Sequence, residues 1–154
     1  MNPNPMVPMQ GGGMGDGGPM PGSVTKVGGL TYNTAALLCY LPVLGINLIS
    51  SLIWIFTEPK ENKFLRFHAI QSLLIVVSAF SFIMLMVCGG VTLGFAAEAT
   101  HSPGIAGIAV GVLSLVQLGF MLGLLVTVVV CMIKAYGNQM WKLPIIGGIA
   151  ERRA

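Results

Sequence analysis

Three long apolar runs, separated by short polar stretches, dominate the chain. The first, residues 34–56, holds 23 residues without a charge. A helix needs about 20 residues to cross the roughly 30 Å hydrocarbon core, so this length predicts one crossing. Pro42 and Gly45 interrupt it. Pro42 removes a backbone donor and crowds the preceding turn, which predicts a kink. The alternative is a re-entrant hairpin breaking at Gly45-Ile46-Asn47, whose arms of about a dozen residues are too short for both to span. The second run starts near Ala69 and continues to Cys88, with apolar residues persisting past Gly89-Gly90 to Ala97. The third, residues 105–133, is uncharged for 29 residues. At 1.5 Å per residue it is about 43 Å long, so it must tilt, bend or project into the headgroups. The pattern predicts an all-α fold: a small polytopic transmembrane helix bundle with spans at about 34–56, 69–88 and 105–133. A tail of residues 1–29 precedes it and an amphipathic segment, 134–154, follows.

Composition sharpens the class. Charged residues make up 8% of the chain and apolar residues 55%. A soluble domain carries roughly a quarter of its residues as charges, so lipid is the expected main solvent here. The net charge of +3 is small and scattered, and no basic patch interleaves with aromatics, which argues against nucleic acid as a partner. Cys39, Cys88 and Cys131 are far apart and lack the spacing of a disulfide framework or zinc site. The tail is mostly Gly, Pro and Met, with Asp16 and Lys26 its only charges, a composition that predicts disorder. Its methionines (Met1, Met6, Met9, Met14, Met20) are irregularly spaced and joined by no Cys or His, so low complexity is favoured over Cu(I) binding. No cofactor or metal is expected.

The basic residues give an orientation. Lys60, Lys63 and Arg66 lie between the first two runs; Lys134, Lys142, Arg152 and Arg153 follow the third. The connection between the second and third runs has no Lys or Arg. With three crossings, seven of the eight cationic residues share one side, which the positive-inside rule places in the cytoplasm. Residues 57–68 and the carboxyl end are then cytoplasmic, and the amino-terminal tail lies outside unless the first run is re-entrant.

Polar and small residues predict how the helices pack. Gly107, Gly111 and Ser114 fall on one face of the third span, and Gly119 with Gly123 forms a second patch. Small residues four apart let helix backbones approach, here more readily within the bundle than across a homodimer. In the second span His68, Gln71, Ser72 and Ser78 cluster on one side, a stripe expected to face the bundle interior. Gln117, in the third span, is their natural partner. As interhelical glue each such contact is worth about 0.6 to 2 kcal/mol. Arg66 is placed to snorkel to lipid phosphates, and His68 to serve as a hydrogen-bonding anchor. Glu58 and Glu61 are expected in the solvated loop, and Tyr136 and Trp141 at headgroup level. Pro144 denies the carboxyl segment a long helix, so the tail should fold back against the interface or the bundle. Glu98 with His101 is the one outer-side pair that resembles catalytic residues, and plain loop is the favoured reading. An enzyme is not expected.

The stretch Phe64-Leu65-Arg66-Phe67-His68-Ala69-Ile70-Gln71-Ser72, with Tyr40-Leu41-Pro42, Ala135-Tyr136-Gly137 and Leu143-Pro144, resembles the prokaryotic relatives of the twenty-kilodalton chloroplast inner-envelope protein import component family. The likeness covers residues 31–151. It implies a helical membrane protein with Arg66 and His68 at the inner face and, in plastid members, a role in moving or assembling proteins. The expected function is therefore a non-enzymatic component of the cell membrane of a prokaryote, acting in translocation or assembly. Its partners would be the lipid bilayer and membrane proteins or further copies of itself. The alternative is a small transporter or channel subunit using the polar face of the second helix with Gln117.

Overall fold

A computed structural model describes residues 24–43, 45–99 and 103–154. These form five helices: α1 (Tyr32–Leu38), α2 (Ile46–Thr57), α3 (Lys63–Ala99), α4 (Pro103–Tyr136) and α5 (Ile146–Arg153). The methionine-rich stretch before residue 24 lies outside the described residues. The described residues begin at Val24, which bridges to Thr31 across a turn containing Gly28 and Gly29 at positive φ.

The first apolar run does not cross as one helix. Pro42 has no N–H to continue α1, and Gly45 sits at φ 74°, a left-handed conformation that glycine adopts without a Cβ clash. The chain doubles back between them. The Ser50 hydroxyl, one turn into α2, donates to the Leu38 carbonyl at the end of α1 (3.1 Å). At the other end the Lys26 amide donates to the Glu58 carboxylate (2.8 Å), so the two ends of the run lie together. With 7 and 12 residues, α1 and α2 are about 10 and 18 Å long, far short of a bilayer. The three-span expectation is therefore corrected to two long helices and a helical hairpin that enters and leaves at the same end.

The long helices are α3, with 37 residues, and α4, with 34. Both are long and apolar enough to cross a membrane. They run antiparallel: Gln71 meets Cys131 near one end, and the Phe82 and Phe120 rings stack at 3.8 Å further along. The amino end of α3 and the carboxyl end of α4 thus share a side with the ends of the hairpin, as the bond from Asn33 Nδ2 to the Tyr136 carbonyl also shows (3.4 Å).

Past α4 the chain turns back on itself. Gly137 and Asn138, the latter at φ 57°, end the helix. Residues 139–143 then run beside α3, and Pro144 and Ile145 form a second turn. Leu143, Pro144 and Ile146 lie with Ile75, Ala79, Leu124 and Thr127 around a small cavity of about 250 Å³. From there α5 returns toward the basic end, tied back by a Lys142–Glu151 salt bridge (2.8 Å).

Burial divides the molecule in two. Every buried residue of α3 lies between Phe64 and Ile75, and among the described residues those buried in α4 are Cys131 and Ala135. Around them gather Ala35, Ala36, Cys39 and Tyr40 of the hairpin's first arm and Trp54 of its second. Beyond that level α3 and α4 continue as a pair with apolar side chains exposed, among them Phe80, Leu85, Phe95, Ile108, Leu115 and Leu122.

The carboxyl-terminal turn depends on one glycine. A Cβ on Gly147 would stand 2.7 Å from the Lys142 Cα, whereas one on Gly148 would meet nothing within 4 Å. Gly147→Ala should destabilise the protein by about 1–3 kcal/mol through overpacking, and Gly148→Ala should leave it unchanged or slightly stabilised. Thermal unfolding of both variants in detergent micelles checks this; equal midpoints would show that residues 142 and 147 do not pack as described.

Candidate functional site

The polar residues at the start of α3 converge on the places where backbone regularity is broken. In an α-helix the carbonyl of residue i is met by the N–H of residue i+4. Pro59 therefore leaves the Ile55 carbonyl of α2 without its helical donor, and the Arg66 guanidinium supplies one (2.9 Å). The cation also sits favourably at a helix carboxyl terminus. Arg66 is thus turned into the bundle rather than toward lipid phosphates, which corrects the snorkelling expectation. Pro42 likewise deprives the Leu38 carbonyl, which is met instead by the Leu41 N–H (3.3 Å) and the Ser50 hydroxyl. One residue on, the Cys39 carbonyl accepts from the Ser72 hydroxyl.

Two further residues complete the arrangement. Gln71 Nε2 donates to the carbonyl of Trp141 in the irregular segment after α4 (3.2 Å) and reaches Cys131 Sγ at 3.7 Å. His68 Nδ1 pairs with the Tyr40 hydroxyl at 3.0 Å. Edge contacts from Tyr40, Phe64 and Phe67, at centroid distances of 4.7–5.7 Å, enclose the imidazole. His68 Nε2 is buried without a hydrogen-bond partner among the described residues. His68, Gln71 and Ser72 are all buried. At the basic end the Glu58 carboxylate is buried as well, holding the Lys26 amide on one oxygen and Asn62 Nδ2 on the other (3.2 Å). The expectation of a solvated Glu58 is corrected: it clasps the ends of the hairpin, while Glu61 is exposed.

Other candidate residues lie elsewhere. Ser78 is exposed. Gln117 does not meet Gln71; antiparallel pairing of α3 with α4 sets it level with Leu85 and Met86, about 21 Å further along the helix axis. There it lines an open apolar groove of about 570 Å³ with Met86, Gly90, Leu113, Ser114 and Met121, and its Oε1 is buried without a donor among the described residues. The glycine patches do not pack within the chain either. Gly107, Gly111, Gly119 and Gly123 are exposed, with open space within 4 Å of any added Cβ, and Ser114 is exposed and bonded to the Val110 carbonyl. Pro144 forms the turn before α5, with a largely exposed ring. Cys88 and Glu98 are exposed, and His101 lies outside the described residues. No group of three or more His, Cys, Asp or Glu able to hold a metal occurs among the described residues.

Sequence reasoning missed Tyr40, Ser50 and Glu58 as partners. For Ser50 the signal was Pro42, four residues beyond Leu38, which leaves that carbonyl seeking a donor; nothing in the local pattern pointed to Tyr40 or Glu58. Arg66, His68, Gln71 and Ser72 each bond another segment of the chain, while Arg66 Nε, His68 Nε2 and Gln71 Oε1 are buried without a partner among the described residues.

The two glutamines give a direct comparison. Gln71→Leu should cost about 1–3 kcal/mol, because it removes the bond of a buried side chain to the Trp141 carbonyl. Gln117→Leu should fall within about 0.5 kcal/mol of the parent, since it removes an acceptor that lacks a donor. Denaturant unfolding in micelles measures both, and equal losses would show that Gln117 is as firmly bonded as Gln71.

Comparisons with known proteins agree on a membrane family. Two UPF0132 membrane proteins of Methanocaldococcus jannaschii are 31% and 32% identical over 130 and 124 residues. Each alignment takes in 80% of this chain, and 89% and 71% of the respective relatives. A UPF0132 membrane protein of Archaeoglobus fulgidus is 31% identical over 121 residues, 79% of this chain and 93% of the relative. No solved structure matches the chain. These findings overturn the likeness to the chloroplast import component. Of the residues that suggested it, Tyr40, Phe64, Phe67, His68, Gln71 and Ser72 are buried in the bundle. A model of the magnetosome magnetite crystal formation protein family matches residues 29–150, and the chain belongs to that family.

Proposed function

We propose that this protein is a non-enzymatic structural component of a membrane, held across the bilayer by α3 and α4 and presenting its basic end to the cytoplasm. The observation that carries this reading is the use of the polar side chains at the start of α3. Arg66, His68, Gln71 and Ser72 each bond another segment of the chain, and the groove around Gln117 is apolar and lined by the two long helices alone. A carrier or pore needs polar groups facing a path; here the path-forming candidates, Gln71 and Gln117, are far apart.

The family description concerns magnetite crystal formation. Binding iron ions or a mineral face calls for clustered oxygen ligands. This chain has five acidic residues in all, and Glu58 is spent on the Lys26 and Asn62 contacts. Its residues therefore favour a contribution to the membrane rather than to the mineral. Cytoplasmic placement of the basic end rests on the positive-inside rule. The hairpin brings Lys26 to the side of the other seven cationic residues, which strengthens the asymmetry. The exposed Gly107, Gly111, Gly119 and Gly123 leave room for a neighbouring membrane helix, so membrane proteins or further copies are the proposed partners.

Topology mapping tests the arrangement. In a background free of the three native cysteines, Lys26→Cys, Lys60→Cys and Lys142→Cys should all react with an impermeant thiol reagent from the cytoplasmic side, and Glu98→Cys from the other. Opposite sidedness for positions 26 and 60 would restore a three-span chain. Sealed proteoliposomes should hold a proton or potassium gradient as long as empty ones do. A leak abolished by Gln71→Leu or Gln117→Leu would sink the structural reading in favour of a channel.

A further inference from the structure

The width of the molecule changes abruptly with depth. The uncharged stretches 69–97 and 105–133 hold 29 residues each, about 43 Å of helix, which matches the roughly 40–45 Å of a bilayer with its headgroup layers. Their midpoints are residues 83 and 119, one residue from the stacked Phe82 and Phe120 pair. That stack therefore marks the middle of the membrane.

Between the stack and the basic end, every element of the chain is present. The α1–α2 hairpin is bonded to α3 at Arg66, His68 and Ser72. The carboxyl-terminal turn reaches the level of Ile75, Ala79 and Phe120 and stops there. Beyond the stack, among the described residues, only α3 and α4 continue, and they part far enough to leave the groove around Met86, Gly90 and Leu113.

The wide half is surfaced for lipid, not water. Leu48, Ile49, Leu52, Ile53 and Phe56 form an exposed stripe along α2, with Phe56 82% exposed. Ile145, at the tip of the carboxyl-terminal turn, is 85% exposed. Such a continuous apolar surface would be costly in water and is at home among acyl chains. Five elements thus displace lipid in one leaflet and two in the other. A helix with side chains is about 10–12 Å across, so the accessory elements add on the order of 250 Å² to one leaflet.

We propose that the protein is a leaflet wedge: it prefers, and at high density induces, membrane that is convex on the side of its basic end. Expanding one leaflet against a fixed neighbour bends the sheet toward the expanded side. Placed by the positive-inside rule, the wedge would favour membrane bulging into the cytoplasm. The inference rests on the reading of the chain as a structural membrane component.

The test uses the full-length chain with a dye at its carboxyl terminus, reconstituted at low density into giant vesicles of phosphatidylethanolamine and phosphatidylglycerol. An impermeant quencher separates molecules whose basic end faces outward from those facing inward, and thin tubes are pulled outward from the vesicle. Molecules with the basic end outward should show a tube-to-flat density ratio above one that rises as the tube narrows. Those facing inward should show a ratio below one. Equal ratios for the two orientations, or the inverse order, overturn the wedge. Failure of the structural-component reading would appear separately, as a gradient leak from sealed vesicles, and would not alter this sorting.

Discussion

A broken helix buried among other helices must find donors for the carbonyls it frees, and the rest of this structure follows from how that demand is met. A carbonyl shut away from water and left unpaired is costly, so irregular backbone survives in the bundle only where protein supplies its partners. Pro42 and Pro59 create two such carbonyls, the turn after α1 exposes a third at Cys39, and the irregular stretch past α4 a fourth at Trp141. Ser50, Arg66, Ser72 and Gln71 meet them in that chemical sense. Three of those four donors lie within seven residues of α3. One helix entrance therefore organises both segments that fold back, and His68 adds a fixed partner for Tyr40.

The same constraint explains why arms too short to span are stable. A span satisfies its backbone along its whole length and needs no neighbours to do so. The hairpin has a turn instead, and it pays for that turn with side-chain donors from α2 and α3. Its ends are then free to meet, which they do through the buried Glu58 carboxylate, the Lys26 amide and Asn62. A buried carboxylate is tolerable only with hydrogen-bonded partners. This clasp puts both ends of the first apolar run on one face, and with them all eight cationic residues.

Much of this was legible in the chain, though not all for the right reason. The all-helical class, the two long apolar helices and the return of the carboxyl segment at Pro144 follow from run length and breakers. The break at Pro42 and Gly45 was visible too, but span length alone favoured a kinked crossing over a hairpin. Length is a sound criterion only when a segment must satisfy itself. The inward face of His68, Gln71 and Ser72 could be read from helical spacing, whereas their partners could not, because Trp141 and Cys39 are 70 and 33 residues away. Gln117 was misplaced for a simpler reason. Pairing it with Gln71 assumed that polar residues in two spans share a level, and the antiparallel register set by Phe82 and Phe120 puts them far apart. The glycines of α4 were assigned to the interior on spacing, yet they face outward; around Gly107, Gly111 and Gly119 no described element beyond α3 lies in that half to pack on them.

The asymmetry between the two halves is a physical consequence, not an accident of chain length. In lipid, apolar side chains gain little by leaving the acyl chains for one another, so hydrophobicity does not gather helices. What gathers them is polar demand. The breaks at Pro42, Pro59 and Pro144 lie at or before the level of Phe82 and Phe120, and so do the donors that answer them; Pro103 opens α4 at the other end, a first-turn position where its missing N–H costs no helical bond. Past that level α3 and α4 are unbroken, their backbones satisfied within each helix, and Gln117 stands alone as a polar side chain with a buried, unmatched oxygen. With no break inside either helix to satisfy, the far half has little to recruit a third element. A chain that concentrates its backbone irregularities in one leaflet must be wider there, and its shape is set by where its prolines fall.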